Sequence, residues 1–222
     1  MSEVAGRMAT QVGAQMLTKI EGGMGLLMGG TAGVQAAHVV ILGAGTVGLS
    51  AAKVAMGMGA RVTILDSNLF QPLASNAFNI AAATKDADLL VGSVLIPGAL
   101  TPKLVTEAMV KTMKPGSAIV DVAIDQGGCI EPTAKHGATY HDKPTFKYPV
   151  NGGEVVCYSV GNMPGAVART STFTLANKGW KKACQDDKAL ARGINTYDGK
   201  VYFKGVSDAL GYELHCTCDI LK

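Results

Sequence analysis

Residues 39–48 read Val-Val-Ile-Leu-Gly-Ala-Gly-Thr-Val-Gly, and eighteen residues past the last of these glycines stands an acid, Asp66. A buried-strand run that feeds a G-x-G-x-x-G turn is suited to holding a pyrophosphate. Gly43 permits the tight turn off the strand. Gly45 lets backbone approach the anion with no Cβ in the way, and Gly48 lets the next helix pack close. The helix start, at Thr46 and Val47, then offers unpaired N–H groups and a partial positive charge. A carboxylate at Asp66 suits the hydroxyls of an adenosine ribose and repels a 2′-phosphate, so the expected cofactor is NAD rather than NADP. The competing reading is a glycine-rich strand–helix turn of another α/β domain, with Asp66 as a helix cap.

Composition bounds the setting. A chain of 222 residues makes one large domain, or one and a fraction. Apolar residues at 48% and charged residues at 17% supply ample core, and the 5% aromatic content leaves that core to Ala, Val, Leu, Ile and Met. A net charge of +3 gives no basic footprint for nucleic acid. No apolar run approaches membrane-spanning length and no signal-peptide pattern is present, so a cytoplasmic protein is expected. The five cysteines lack framework spacing and are expected as reduced thiols. Cys216 and Cys218 lack partners at ligand spacing, so no metal is expected.

The elements that must position the turn follow from periodicity. Ser2–Ile20 reads as a helix with Ser2 as cap and Val4, Met8, Val12 and Met16 on one face. His38–Leu42 is the first strand, Val47–Met58 a helix and Arg61–Leu65 the second strand. Ile80–Ala87 is a short helix and Leu89–Ile96 a strand. Pro102–Met113 reads as a helix with Thr101 as cap and Pro102 at its first position. Ala118–Ile124 is a strand, Thr133–Asn151 is loop-like, and Glu154–Val160 is the last strand. Pro164–Leu175 and Gly179–Ala191 read as helical. Asn195–Phe203 reads as a hairpin around Asp198-Gly199, with a short helix from Ser207. Continuous apolar strands alternating with helices predict a Rossmann-type, doubly wound parallel sheet with helices on both faces.

Several blocks resemble the alanine dehydrogenase/pyridine nucleotide transhydrogenase family. They include Met1–Arg7, G-G-T-A-G-V at 29–34, the 43–48 turn, G-S-V-L-I-P-G at 92–98, K-T-M-K-P-G at 111–116, D-V-A-I-D-Q-G-G at 121–128, N-M-P-G-A-V at 162–167 and R-T-S-T at 169–172. The match to alanine dehydrogenase covers nearly the whole chain. The resemblance implies NAD-dependent oxidative deamination of L-alanine to pyruvate and ammonia by a homo-oligomer that associates through its first helix. It implies that Ser2 meets the cofactor phosphates, that Thr46 and Val47 lie at the pyrophosphate, and that Asp66 meets the ribose. Val94 and Leu95 would flank the cofactor. Val122, Ala123, Ile124 and Asp125, with Val160, Gly161, Asn162 and Met163, would surround the nicotinamide end, and Asp125 matches the catalytic aspartate.

The same resemblance implies departures. The chain starts where the family's NAD domain starts, so residues 1–180 are expected as the NAD-binding domain. Residues 181–222 are expected as a helical and hairpin extension that packs on a substrate domain. That domain's arginine, lysine and histidine have no counterpart here, and Ala134 stands near the place of a further arginine. Segments look deleted between Asn68 and Ala77, which removes an edge strand, and between Thr172 and Leu175. The alternative function is therefore a catalytically inactive NAD-binding or oligomerisation module. A solvated carboxylate is a weak base at neutral pH, so Asp125 needs a partner. His38 sits at the wrong strand end, while His136 and His141 lie on the correct side and His141 is the candidate surrogate. His215 lies near the tail. Lys103 and Arg169 are candidate cations, the latter more simply structural.

Overall fold

Strands β1 (His38–Leu42), β2 (Arg61–Asp66), β4 (Leu89–Gly92) and β5 (Ala118–Asp121) lie side by side in parallel. With β3 (Leu73–Ala74), β6 (Thr145–Val150) and β7 (Gly153–Tyr158) they form a seven-stranded sheet of order β3-β2-β1-β4-β5-β7-β6. The computed structural model describes residues 1–67, 73–96, 99–167, 170, 180–186, 196–202, 204, 207 and 211–221. Residues 39–42, 89–91 and 118–120 are entirely excluded from solvent. Both faces of these strands are covered, so their sequences are apolar without alternation.

Register sets where chemistry is possible. Leu42 pairs with Leu65 and Gly92, and Gly92 pairs with Asp121. The residues after these, 43, 66, 93 and 122, therefore leave the sheet together at one edge. The chain leaves β1 towards β2 on one side and returns to β4 on the other, which opens a crevice beyond the strand ends.

Helix α1 (Ser2–Met16) crosses α2 (Thr46–Gly57) at very close range. A Cβ on Gly6 would lie 2.1 Å from the carbonyl oxygen of Val47, and one on Gly13 would lie 2.4 Å from Leu89 Cδ2. The buried Thr10 hydroxyl donates to the Ala51 carbonyl at 2.8 Å. Met8 and Met16 are buried in this packing. Val4 and Val12 of the same stripe stay partly exposed, so the chain covers only part of that face itself. Helix α1 also ends earlier than expected, because Met16 is its last residue and Gly22 closes the following turn in the left-handed region.

Five further readings change. The third-strand position is not empty: Leu73 and Ala74 pair with Leu65 and Asp66. The helix expected over 102–113 shrinks to α4 (Glu107–Val110), capped by Thr106. Upstream, the chain is drawn out along the next loop, where Thr101 N–H donates to Gln126 and Leu104 N–H to Cys129. The stretch expected as loop over 133–151 holds α5 (Glu131–His136) and β6. Pro149 is tolerated in β6 because that antiparallel strand is the sheet edge. The strands expected to reach Ile96 and Ile124 end at Gly92 and Asp121. Helix α3 (Ala77–Asp86) starts three residues early, capped by Asn76.

By contact the chain divides into two units, residues 1–95 with 100–166, and 96–99 with 167–222. The second holds α6 (Trp180–Asp186) and the hairpin of β8 (Thr196–Tyr197) and β9 (Lys200–Val201). Asp198 and Gly199 both take positive φ, 48° and 71°, as the expected two-residue turn requires. Cys216 and Cys218 are joined as a disulfide, against the expectation of reduced thiols throughout; their Cα atoms are 5.2 Å apart. Most of the helical stretches expected over 164–175 and 179–191, and the helix from Ser207, fall outside the described residues.

Two predictions follow from this packing. Gly48→Ala places a methyl against the Gly43 carbonyl. We expect a loss of about 2–3 kcal/mol, read as a Tm lower by roughly 5–10 °C. Cys157 is pushed up to about 12 by burial and, secondarily, by the charge of Asp121. Burial raises Cys129 well above the ordinary thiol range, aided by the same carboxylate. Neither thiol should react with iodoacetamide at about pH 8 in the native protein, and both should react in denaturant; labelling read by mass spectrometry checks this.

Candidate functional site

The Gly43–Gly48 turn is built by exclusion. Gly43 sits at φ +96°, with Ser93 and Val94 directly beneath. The buried Ser93 hydroxyl donates to the carbonyls of Leu42 (2.7 Å) and Gly43 (3.1 Å), bracing the turn from the neighbouring strand. A Cβ on Gly48 would lie 1.9 Å from the Gly43 carbonyl and 2.8 Å from Ser93 Oγ. Gly45 behaves differently: a Cβ there meets nothing within 4 Å. The space over Gly45 is open, and α2 begins at that point with no side chain capping its first N–H groups. Open space over uncapped donors at a helix start fits a phosphate.

Asp66 ends β2 beside this turn and accepts the Ala44 N–H at 2.6 Å. The carboxylate is thereby held at the rim, where the sequence reading puts the ribose. Gly43, Gly45, Thr46, Gly48 and Asp66 shape the turn without lining the cavity next to it.

That cavity, of about 210 Å³, is lined by Met1, Ser2 and Ala5 of α1, by Val47, by Ser93, Val94 and Leu95 after β4, by Val122, Ala123, Asp125 and Gln126 after β5, and by Asn162 and Pro164 after β7. Eight of the residues anticipated from the sequence meet here: Ser2, Val47, Val94, Leu95, Val122, Ala123, Asp125 and Asn162. Ile124, Val160 and Met163 do not; they are buried, and Val160 bridges Thr139. Gly161 serves by being small, since a Cβ on it would come within 3.0 Å of Asp125 Oδ1.

The exposed Asp125 carboxylate accepts the backbone N–H of Asn162 at 3.2 and 3.3 Å. This bond ties the loop after β5 to the loop after β7. Asn162 holds a left-handed conformation, φ 51°, which an Asn tolerates better than most residues. His141 Nε2 and the Asn162 amide flank Gly165, but His141 does not line the cavity. His136 stacks on Phe146 at 3.7 Å and is spent on packing. His38 lies at the opposite sheet edge, where its N–H donates to Asp88. His215 belongs to the second unit, its N–H donating to Val201. Lys103 donates to the carbonyls of Gly127 and Gly128. Arg169 lies outside the described residues.

Four contributors escaped the sequence reading. Gly6 sets the α1–α2 approach, and Ser93 braces the turn. Asp121 is fully buried and accepts from the N–H groups of Ala123, Cys129 and Ile130 and from the Thr133 hydroxyl. Burial raises its carboxyl above the usual range, and these donors partly offset the rise. One signal was present for Asp121: an acid closing an apolar strand, with no basic neighbour in sequence, just before a loop with two adjacent glycines. Gln126 carries a buried Oε1 with no hydrogen-bond partner beside the same cavity. An orphaned acceptor there and the open space over Gly45 both fit a bound nucleotide.

Comparison with known proteins bears on the family and the fold. Residues 9–204 match the family described as alanine dehydrogenase/PNT, C-terminal domain. The chain is 90% identical over 246 aligned positions to the alanine dehydrogenase of Bilophila wadsworthia (strain 3_1_6), an alignment that covers 100% of the chain and 65% of that relative. The aligned stretch is longer than the chain itself, so the relative carries internal residues that are missing here. A solved L-alanine dehydrogenase superposes with TM-score 0.73 at 41% identity, covering 100% of this chain and 64% of that one. The transhydrogenase from Sinorhizobium meliloti superposes with TM-score 0.66 at 27% identity, covering 91% and 59%. The chain spans about two thirds of the length of the proteins it matches. It belongs to the alanine dehydrogenase/PNT family, whose C-terminal domain it carries.

Proposed function

We propose that this chain is the NAD-holding part of an enzyme that oxidatively deaminates L-alanine to pyruvate and ammonia. The observation that carries the reading is the open space over Gly45 at the uncapped start of α2, next to a cavity whose far wall presents Asp125. Ser2 and the N–H groups at Thr46 and Val47 would hold the pyrophosphate between the starts of α1 and α2. Asp66 would take the adenosine ribose and repel a 2′-phosphate. Val94 and Leu95 would pack along the cofactor. Val122, Ala123, Asp125 and Asn162 would meet its nicotinamide end, with Ile124, Val160, Gly161 and Met163 shaping the wall behind them. When bound, NAD supplies the hydride acceptor. Asp125, oriented by the Asn162 N–H, would align the substrate amine or the water that attacks after oxidation.

Deamination also needs a cation on the substrate carboxylate. Among the described residues, none that lines the cavity is Lys, Arg or His. The clamp would come from outside the described lining, and the greater length of the relatives supports a source in a longer protein. In that setting residues 181–222 would pack on the substrate domain of a cytoplasmic homo-oligomer. No described helix is long and apolar enough to cross a membrane. The absence of a cation among the described lining residues favours the second reading for the chain unaided, namely binding without turnover.

Titration of the purified chain with NADH, followed by fluorescence, should saturate. Asp66→Ala should weaken binding by about tenfold, and Gly45→Val should abolish it by filling the space above the turn. Undiminished binding in both variants would show that the turn is not the cofactor site. Added L-alanine and NAD should give no growth in NADH absorbance with this chain alone. Turnover that survives Asp125→Ala would remove Asp125 from the chemistry, and any turnover at all would show that the chain holds its own clamp.

A further inference from the structure

We propose that Asp121 is a positioning residue for the nicotinamide end of the cavity: its buried carboxylate holds the loop that presents Asp125 and Gln126. The proposal rests on the cofactor reading above. All four donors to Asp121 come from residues 123–133, the segment that carries Asp125 and Gln126. Ala123 N–H lies 3.2 Å from Oδ1, Cys129 N–H 3.2 Å and Ile130 N–H 3.3 Å from Oδ2, and Thr133 Oγ1 2.5 Å from Oδ2. The Cys129 thiol adds a weaker contact to Oδ1 at 3.6 Å. Both ends of the loop are thus tied to one carboxylate at the end of β5.

The surroundings are shaped to that carboxylate. A Cβ on Gly92 would lie 2.9 Å from Oδ1, and one on Gly128 would lie 2.7 Å from Oδ2. Gly127 and Gly128 turn the loop in the left-handed region, at φ +87° and +75°. Lys103 closes the same turn from outside through the Gly127 and Gly128 carbonyls. No ion pair among the described residues includes Asp121. A buried charge without a cation is costly unless its acceptor sites are filled. Here every donor that fills them belongs to the loop, so the cost of burying the charge is offset only when the loop is in place. Asp125 needs that placement, because its bond to the Asn162 N–H spans two loops.

Two ligands separate positioning from general stability. NADH would use both ends of the site, whereas ADP-ribose would use only the turn, Ser2 and Asp66. In Asp121→Asn an amide nitrogen replaces one acceptor oxygen and faces N–H donors. We expect NADH affinity to fall by about tenfold and ADP-ribose affinity to change by less than about twofold. Hydrogen exchange at the Ala123, Cys129 and Ile130 amides should quicken in step. Equal weakening of both ligands, or an unchanged NADH affinity, would overturn the proposal. Should Asp121→Asn fail to fold, Thr133→Val removes a single donor, and the same split should appear at about threefold; its absence there is equally decisive. If the unaltered chain binds neither ligand, the cofactor reading fails on its own. The exchange measurement still decides whether Asp121 holds the loop: unaltered exchange in the variant would overturn that.

Discussion

Gly48 has no side chain, and a Cβ there would sit 1.9 Å from the Gly43 carbonyl. That close approach seats the start of α2 directly above the end of β1. The remaining geometry depends on it. With α2 so low, its first N–H groups point over the strand ends, and Ser93 can reach across from β4 to brace the turn. With α2 so placed, Gly6 lets α1 cross it almost in backbone contact, which brings Met1 and Ser2 to the same cavity. Two helix starts therefore converge beside one turn, and both carry their partial positive charge there.

The cavity has two walls of different character. On one side stand backbone donors, suited to a phosphate. On the other stands a carboxylate, Asp125, with no basic side chain among the described lining residues. An anion-holding end next to an acid-bearing end matches a dinucleotide whose far end is a cationic ring and whose middle is a pyrophosphate. The two loops that form the acid-bearing wall are joined by the Asp125–Asn162 bond, and one of them is anchored below by Asp121.

The legible elements are those whose pattern is local and redundant. Strands β1, β4 and β5 were marked by apolar runs, β2 by the short stretch between Arg61 and Asp66, and the β8–β9 hairpin by Asp198-Gly199. The illegible ones depended on partners distant in sequence. Pro102 at a plausible first helical position suggested a helix, yet the segment pairs in extended form with the loop at 126–131, and that pairing outweighs the local preference. Pro149 argued against a strand, but an edge position makes its missing N–H harmless. The apolar stripe of α1 was visible, but not which part the chain itself covers, because a stripe does not say where its cover lies; Met8 and Met16 are buried and Val12 is partly exposed.

Sequence alone determined the G-x-G-x-x-G turn, the acid after β2, the parallel α/β architecture and the family, because each rests on residue type at fixed spacing. Tertiary structure decided which of the anticipated residues meet. It brought Ser2, Val47, Val94, Asp125 and Asn162 to one cavity and turned Ile124, Val160 and Met163 into its backing. It also revealed Asp121, whose role depends on donors eight to twelve residues further on, folded back over a strand end. Spacing can name a turn. Only packing shows which backbone groups a buried carboxylate must satisfy, because a charge out of water accepts whatever donors the fold places within reach.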